Sequence, residues 1–432
     1  RSWAETAGMT AQRMRVVIVG GGFAGLWAAR ALATAKVEIV LIDRGNHHLF
    51  QPLLYQVATA GLSAPDIAAP LRHILRKQNN VEVRMATVTG IDAASKRIVL
   101  DDGATLDFDV LLLASGATHA YFGNDHWATH APGLKSLDDA LDLRRKLLLA
   151  FERAEAATDP AERAAWLSFA IVGGGPTGVE LAGTLAEIAR HTLKDEFHNI
   201  NPASARVRLV EAGPRVLAAF PEDLSAKAKR QLEKLGVEIS LGTPVKDISA
   251  DGYILGDTFM PAKTVVWAAG VAASPLGAML GVPLDRVGRV QVQPDLSVPG
   301  HSDIFVAGDL AALLQANGRP VPGVAPAAKQ MGRYVTQVLR ARLAGRAPPP
   351  AFAYKDYGNL ATIGRMAAVV DLGKLKVSGL LAWWFWLVMH VFFLIGFRNR
   401  LVVLLNWWWA YWSYQRAARI ILGNDHDLPP TA

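Results

Sequence analysis

The sequence predicts an α/β fold of two similar parallel-sheet domains followed by an apolar helical region, and three observations predict it. Two glycine-rich segments, 20–25 and 173–178, each follow a β-branched run and precede an Ala/Leu-rich segment. They begin 153 residues apart, a spacing that gives each its own domain. From 372 to 424 there is no Asp or Glu, and seven of the 12 Trp lie between 383 and 412.

Composition excludes several classes of protein. The chain has 432 residues, 51% apolar and 19% charged, which predicts two to three folded domains. It has no Cys, which excludes disulfides, thiolate metal sites and cysteine nucleophiles. The net charge of +7 suits nucleic acid or an anionic membrane, but no basic run occurs, so we predict a membrane surface and no nucleic acid. Adjacent His47 and His48 point in different directions, and we predict no metal.

The first glycine segment predicts a dinucleotide-binding turn. It reads GGGFAG after a strand at 14–19, which matches G-x-G-x-x-G. The first glycine permits a tight turn, the second lets backbone N–H groups approach a pyrophosphate, and the third lets helix pack on strand. The next strand, 37–42, ends at Asp43, whose carboxylate can accept a hydrogen bond from a ribose hydroxyl.

The second segment, GGGPTG, repeats this order. It lies between a strand at 167–172 and a helix at 179–193, and the next strand, 206–210, ends at Glu211. A carboxylate there repels a 2′-phosphate and favours NADH over NADPH, although Arg215 weakens that preference. Two such sites imply FAD in the first unit and NADH in the second. The prediction is therefore two Rossmann-like dinucleotide-binding domains with a C-terminal membrane-associated helical region.

Several motifs carry a family resemblance. The order GGGFAGL, GGGPTGVELAG and IFVAGD (304–309) resembles the two-dinucleotide-binding-domain flavoproteins over residues 15–345. The segment NHHLFQPLLYQVATAGL at 46–62 is similar to that of type II NADH dehydrogenases, the single-subunit, non-proton-pumping NADH:quinone oxidoreductases. Their A-Q-x-A-x-Q stretch is matched by 325–330, with Pro326 in place of the first Gln. Disulfide reductases and sulfide:quinone oxidoreductases of this superfamily need cysteines, which this chain lacks.

The resemblance implies hydride transfer from NADH to flavin and delivery of two electrons to a membrane quinone. It places Glu180 near the nicotinamide and flavin and Gln330 at the quinone end. Lys376 resembles a family lysine near the quinone, although a lysine at the membrane surface explains it nearly as well. The alternatives are a soluble NAD(P)H-dependent ferredoxin or flavin reductase, or a flavin-bearing binding or signalling protein that turns over no substrate.

The motifs and the resemblance together assign the cofactor residues and the domain limits. The FAD site is expected to comprise Gly20, Gly22, Ala24, Gly25, Asp43, Arg44, Pro52, Val88, Ala114, Asp309 and Ala327. The NADH site is expected to comprise Gly173, Gly175, Pro176, Thr177, Gly178, Glu211 and Gly270. The predicted domains are an FAD-binding domain (14–118 and 276–345), an NADH-binding domain (119–275) and a membrane-anchoring region (352–432).

The tail predicts contact with lipid. Residues 380–397 are apolar except for His390, and their 18 residues are at the threshold for a spanning helix. Over 401–422, polar residues that include Arg416 and Arg419 share one helix side and Trp the other, which predicts an interfacial helix with its arginines towards headgroups. A helical hairpin docked on one face, a single span and a soluble dimer interface remain open. The resemblance implies peripheral attachment to the cytoplasmic face of the cell membrane, and a homodimer.

Overall fold

The structure, a computed structural model, describes residues 13–395, 397–413, 416 and 418–421. The α/β class is confirmed. The ends of the predicted 401–422 helix and of the predicted 352–432 region lie outside the described residues.

The elements are numbered along the chain. The strands are β1 (Met14–Val19), β2 (Val37–Asp43), β3 (His47–Leu49), β4 (Ala68–Pro70), β5 (Val81–Met85), β6 (Val88–Asp92), β7 (Arg97–Leu100), β8 (Thr105–Asp107), β9 (Val110–Leu113), β10 (Ala117–His119), β11 (Ser168–Val172), β12 (Arg206–Glu211), β13 (Val237–Leu241), β14 (Val245–Ser249), β15 (Gly252–Leu255), β16 (Thr258–Pro261), β17 (Thr264–Trp267), β18 (Val271–Ala273), β19 (Val290–Gln291), β20 (Ser297–Val298), β21 (His301–Val306), β22 (Ala311–Ala312), β23 (Asn359–Gly364), β24 (Ala367–Asp371) and β25 (Lys376–Gly379). The α-helices are α1 (Phe23–Ala31), α2 (Leu54–Ala58), α3 (Ala64–Ile67), α4 (Leu71–Leu75), α5 (Leu137–Ala156), α6 (Pro160–Trp166), α7 (Pro176–Glu187), α8 (Glu222–Lys234), α9 (Ala325–Leu343), α10 (Leu380–Phe393) and α11 (Phe397–Ser413).

The chain divides into two compact units, and the first contains the described residues 13–48, 69–118 and 271–357. Its main sheet has the order β20-β21-β9-β1-β2-β5, and β1 pairs in parallel with both β2 and β9. The first glycine segment therefore leaves the carboxyl end of a central strand, where α/β sheets bind ligands. Helix α9 packs closely on α1 because Gly332 has no side chain: a Cβ there would lie 2.2 Å from the carbonyl oxygen of Ala24.

The second unit contains residues 49–68 and 119–270 and the described residues from 358 onward. Its parallel sheet has the order β13-β12-β11-β17, and α7 follows the central strand β11. The antiparallel sheet β23-β24-β25 packs on α7 at Gly183. A Cβ at Gly183 would lie 1.6 Å from the carbonyl oxygen of Ile363, so this approach of helix and strand requires glycine.

This contact predicts a large stability effect. Gly183→Ala is expected to destabilise the protein by at least about 3 kcal/mol, because the clash is with backbone and no side chain can move aside. Thermal unfolding followed by circular dichroism measures it. Gly90→Ala is the control, since its added Cβ would meet Val99 at an ordinary 3.4 Å. Equal melting temperatures for the two variants would contradict the assigned contact.

Several predicted elements end earlier than the sequence suggested. After β5 the chain leaves the parallel sheet and joins the antiparallel sheet β6-β7-β8. The helix predicted at 179–193 begins at Pro176, and its α-helical part ends at Glu187, followed by a π-helical turn over 188–192. In the tail, α10 has 14 residues and α11 has 17. Within the described residues, no helix is long and apolar enough to cross a bilayer.

Candidate functional site

The first glycine loop has the geometry of a phosphate cradle. Gly20 has a φ of +108°, and a Cβ there would lie 2.3 Å from the carbonyl oxygen of Ala114. A Cβ on Gly25 would lie 1.9 Å from the carbonyl oxygen of Gly20, so the start of α1 can approach β1 only with glycine here. Beside Gly22, in contrast, an added Cβ would meet no atom within 4 Å. The backbone is therefore tightly packed at Gly20 and Gly25, whereas the space beside Gly22 is open.

The second loop repeats this geometry. Gly173 has a φ of +115°, and a Cβ there would lie 2.5 Å from the carbonyl oxygen of Ala268. A Cβ on Gly178 would lie 1.9 Å from the carbonyl oxygen of Gly173, while Gly175 again faces open space. Gly22 and Gly175 are the N-cap positions of α1 and α7, and neither helix start is capped by a side chain. Backbone donors at both starts are thus available to a pyrophosphate, and both loops fit a dinucleotide.

An acidic residue holds each loop in shape. Asp43 accepts hydrogen bonds from the backbone N–H of Gly21 at 2.6 Å and of Gly45 at 2.7 Å. Glu211 does the same in the second unit, where it accepts from Gly174 at 2.6 Å and from Gly213 at 2.7 Å. Each carboxylate that the sequence assigned to a ribose therefore also organises the loop beside the phosphate position.

The remaining predicted FAD residues lie in the first unit, except Pro52, which lies in a 3₁₀ turn of the second. Asp309 follows β21 in a 3₁₀ turn, and Ala327 is buried in the first turn of α9. Val88 is buried at the start of β6, and Arg44 is exposed after β2. All the predicted NADH residues lie in the second unit, and Pro176 and Thr177 are exposed in the first turn of α7.

His48 supports the first glycine loop. Its side chain is buried against the rings of Phe23 and Trp27, and its Nδ1 lies 2.9 Å from the carbonyl oxygen of Gly21. Burial lowers the pKa of His48 to about 4, so the imidazole is neutral and Nδ1–H donates this hydrogen bond. Within the described residues, no group of three His, Asp or Glu is placed to hold a metal ion.

Glu180 is a buried carboxyl group on α7. Its side chain is only 8% exposed, and its Oε1 accepts a hydrogen bond from the backbone N–H of Thr362 in β23 at 3.3 Å. Burial raises the pKa of Glu180 to about 8, while the Thr362 hydrogen bond opposes the rise. Glu180 therefore carries a proton at neutral pH, as a general acid must.

Sequence reasoning missed a second buried acid on α7. Glu187 lies seven residues after Glu180, on the same helix face, and accepts a hydrogen bond from the backbone N–H of Arg365. Its Oε2 lies 3.6 Å from Nη2 of Arg416, whose Nη1 donates to the carbonyl oxygen of Thr59 at 3.2 Å. Burial raises the pKa of Glu187, although Arg416 opposes the rise. Two acids seven residues apart on an otherwise apolar helix were the available signal.

This ion pair corrects the prediction for the tail. The prediction that Arg416 faces lipid headgroups is wrong, because its guanidinium is buried against Glu187 within the second unit. Arg419 is also engaged, with its Nη1 2.6 Å from the carboxylate of Glu196. Helical periodicity assigned both arginines to a solvated helix face, but α11 ends at Ser413, and neither Arg416 nor Arg419 is in a helix.

The other two predicted catalytic residues lie in different units. In the first unit, Gln330 donates from Nε2 to the carbonyl oxygen of Lys355 and accepts from its backbone N–H, both at 2.9 Å, which uses one of its two amide N–H donors. In the second unit, the half-exposed Lys376 pairs with Asp223 at 3.1 Å. Their roles at a quinone site stay predictions.

The tail helices expose one continuous apolar face each. The exposed residues of α10 include Leu381, Trp384, Val388 and Phe392, and those of α11 include Leu401, Leu405, Trp408 and Trp412. The opposite sides are buried, at Ala382 and Trp386 of α10 and at Val403 of α11. The two helices thus pack on the second unit by one side and present the other outward. We call these eight exposed residues the tail face.

Comparison with known proteins gives the class and then the family. A family model described as pyridine nucleotide-disulphide oxidoreductase matches residues 14–332, and one described as NDH2 C-terminal domain matches residues 357–411. A Mycobacterium tuberculosis protein described as type II NADH:quinone oxidoreductase Ndh is 47% identical over 95% of this chain and 91% of its own. A mitochondrial internal alternative NAD(P)H-ubiquinone oxidoreductase of Arabidopsis thaliana is 30% identical over 92% of this chain and 84% of its own. The chain therefore belongs to the type II NADH:quinone oxidoreductases, which confirms the family inferred from the motifs.

A solved structure shows the same fold. The NDH2 of Plasmodium falciparum, solved in complex with NADH, superposes with a TM-score of 0.88. It covers 95% of this chain and 100% of its own chain at 20% sequence identity. The superposition shows that the two chains share the fold.

Proposed function

We propose that this protein oxidises NADH and reduces a membrane quinone, with FAD as the resident electron carrier and without proton pumping. The observation that carries the proposal is the pair of matching glycine loops. Each has open space beside the second glycine of its motif, Gly22 or Gly175, and an acidic residue accepts hydrogen bonds from the backbone of each. Bound FAD would accept the hydride of NADH and pass two electrons to the quinone, which takes up two protons. The family membership supports the same reaction.

Different residues of the chain would perform the separate parts of this reaction. In the first unit, residues 20–25, Asp43 and Asp309 would hold FAD, and in the second, residues 173–178 and Glu211 would hold NADH. Glu180 would hold a proton close to the redox reaction in a site from which water is excluded. Gln330 and Lys376 are assigned to the quinone by the family resemblance alone.

The tail face supports attachment to a lipid surface. Eight large apolar side chains on two helices are exposed together, whereas soluble surfaces carry such residues singly. A quinone with an isoprenoid chain stays within the bilayer, so an enzyme that reduces it must reach the headgroup region. We propose peripheral attachment at the cytoplasmic face of the cell membrane, as a homodimer.

Absorption spectroscopy of the purified protein tests the reaction. A stoichiometric flavin spectrum is expected, which NADH bleaches without oxygen and a short-chain benzoquinone restores. In sealed vesicles, turnover should create no proton gradient beyond the scalar protons that the quinone consumes. Reoxidation by ferredoxin but not by quinone would favour the soluble reductase. A flavin that NADH does not bleach would favour the binding or signalling protein.

Glu211 is expected to set the preference for NADH. Glu211→Gln removes the charge that repels a 2′-phosphate and keeps an oxygen for one of the two backbone N–H groups that Glu211 holds, those of Gly174 and Gly213. The ratio of kcat/KM for NADPH to that for NADH should rise about 10-fold. Steady-state kinetics with both nucleotides measure it, and Glu233→Gln on the exposed side of α8 is the control. An unchanged ratio would show that Glu211 does not contact the ribose.

A further inference from the structure

A cavity in the second unit presents aromatic walls together with hydrogen-bond donors. It lies among α2, α7, the β23-β24 hairpin and the two tail helices. Its lining includes Tyr55, Thr184, Trp383, Trp386, Trp407 and Tyr411. Three tryptophans and two tyrosines around one space provide flat, apolar surfaces suited to a planar ring.

The hydrogen bonds around Tyr55 fix which way its hydroxyl can donate. The indole Nε1–H of Trp407 lies 2.7 Å from Oε1 of Gln56. Because an indole nitrogen only donates, this contact requires the amide oxygen of Gln56 to face Trp407 and its amide nitrogen to face away. That nitrogen donates to the Tyr55 hydroxyl oxygen at 2.9 Å. Tyr55 is therefore the acceptor in this contact, and its own O–H remains for another partner.

Among the described residues, the Tyr55 hydroxyl makes one hydrogen bond, the one that it accepts from Gln56. The neighbouring Thr184 donates its hydroxyl proton to the carbonyl oxygen of Glu180 at 2.7 Å and not to Tyr55. Burial raises the pKa of Tyr55, and the nearby Glu180 and Glu187 act in the same direction. The hydroxyl is thus a persistent donor at physiological pH, held in place by Gln56 and Trp407.

A second donor in the cavity lining is also unused. The side chain of Trp386 is 2% exposed, and its indole Nε1–H is buried without an acceptor among the described residues. A buried donor without a partner costs about 1–3 kcal/mol. Two such donors beside flat aromatic surfaces suit a planar ligand that carries carbonyl oxygens and no donor of its own.

We propose that the cavity receives the quinone ring and that the Tyr55 hydroxyl donates a hydrogen bond to one of its carbonyl oxygens. This inference rests on the proposed function and deepens it, because it assigns a residue that selects the oxidised, carbonyl-bearing form of the substrate. Gln56 is a positioning residue, which acts through Tyr55, and Trp407 both fixes the orientation of Gln56 and lines the cavity. Reduction converts the carbonyl to a hydroxyl, which no longer needs this donor, so the contact favours quinone over quinol.

Tyr55→Phe in the FAD-loaded full-length protein tests the assignment. The KM for a short-chain benzoquinone is expected to rise about 5-fold, the value of one neutral hydrogen bond. The KM for NADH and the rate with ferricyanide, which has no carbonyl, should not change. Tyr334→Phe is the matched control, since it removes a largely buried hydroxyl that donates at 2.8 Å to the carbonyl oxygen of Pro350 in the first unit.

Infrared difference spectroscopy gives a second readout. With ¹³C-carbonyl benzoquinone, the wild type should show a carbonyl band at lower frequency than the Tyr55→Phe variant, because a hydrogen bond weakens that bond. Trp407→Phe, which frees the Gln56 amide to turn, should raise the quinone KM about 2-fold. If Tyr55→Phe does not retain FAD, the Trp407→Phe kinetics and band position decide the question.

The outcomes distinguish a failure of the Tyr55 assignment from a failure of the proposed function. If the quinone KM and the carbonyl band position of Tyr55→Phe equal those of the wild type, the assignment of Tyr55 is overturned and the proposed function stays intact. If Tyr55→Phe does not retain FAD, the same result in Trp407→Phe has the same meaning. A wild-type protein that NADH reduces but no quinone reoxidises would overturn the proposed function itself. A higher KM for both benzoquinone and ferricyanide would indicate general damage and also overturn the assignment.

Discussion

Glu180→Gln is expected to slow quinone reduction about 100-fold while the KM for NADH stays within a factor of two. Quinone reduction consumes protons, and Glu180 is a buried carboxyl group that carries one at neutral pH. Glutamine keeps an acceptor for the backbone N–H of Thr362 but cannot release a proton. Steady-state kinetics with a short-chain quinone, together with anaerobic bleaching of the flavin by NADH, measure the two half-reactions separately.

The pH profile gives the same prediction a sharper form. The wild-type rate should decline as pH rises through about 8, where Glu180 loses its proton, and the Gln variant should lack this step. Glu233→Gln, on an exposed ion pair of α8, is the control and should retain the wild-type profile. A Glu180→Gln variant with the wild-type rate and pH profile would exclude Glu180 from the proton supply.

Protein stability should follow the same titration. The pKa of Glu180 is higher in the folded protein than in the unfolded chain. Its contribution to stability is therefore fully present below its ordinary value of 4.5 and is lost as pH rises through about 8. Denaturant unfolding at several pH values should show this loss in the wild type and not in Glu180→Gln.

Replacing the tail face is expected to release the protein from membranes. In a variant with Trp384, Phe392, Trp408 and Trp412 all changed to Gln, four large exposed side chains lose their apolar contact with lipid. At about 1 kcal/mol for each half-buried side chain, the vesicle partition coefficient should fall by about 10²–10³-fold. Flotation with phosphatidylglycerol-containing vesicles measures the loss.

Substituting residues of the tail face tests lipid binding more specifically than deleting the tail does. Deleting the chain from residue 378 onward would also remove Arg416 and leave Glu187 buried without its cation, which is expected to destabilise the unit. The control is Phe259→Gln with Leu314→Gln, two exposed apolar residues outside the tail. FAD content should be equal in all variants. Unchanged flotation of the fourfold variant would show that the tail face does not bind lipid.

Local signals predicted the backbone geometry of the two glycine loops. Glycine spacing, the preceding apolar strand and the terminal acid all act within one βαβ unit, so the geometry of residues 20–25 and 173–178 follows from short-range constraints. The sequence did not show that Asp43 and Glu211 also bind the loop backbone. A side-chain–backbone contact across 22 or 37 residues leaves no periodic pattern.

Long-range pairing explains what the sequence could not predict. Arg416 lies on the polar side of a helical projection, yet its partner Glu187 is more than 200 residues earlier, and that contact decides its position. The amide of Gln330 is similarly engaged by the backbone of Lys355, which its motif gave no reason to expect. Residues 49–68 belong to the second compact unit although their motif was read with the first. Helical periodicity predicts which side of a helix is exposed, but it does not predict which distant residues the side chains contact.

The likeness of the two glycine loops bears on how long each nucleotide stays bound. Both turns have the same backbone shape and the same carboxylate anchor. Because the two loops match, the loops alone would give both dinucleotides similar dwell times. In the proposed function FAD stays bound while NADH is exchanged at every turnover, and this difference must therefore originate in contacts beyond the pyrophosphate, at the adenine and ring ends.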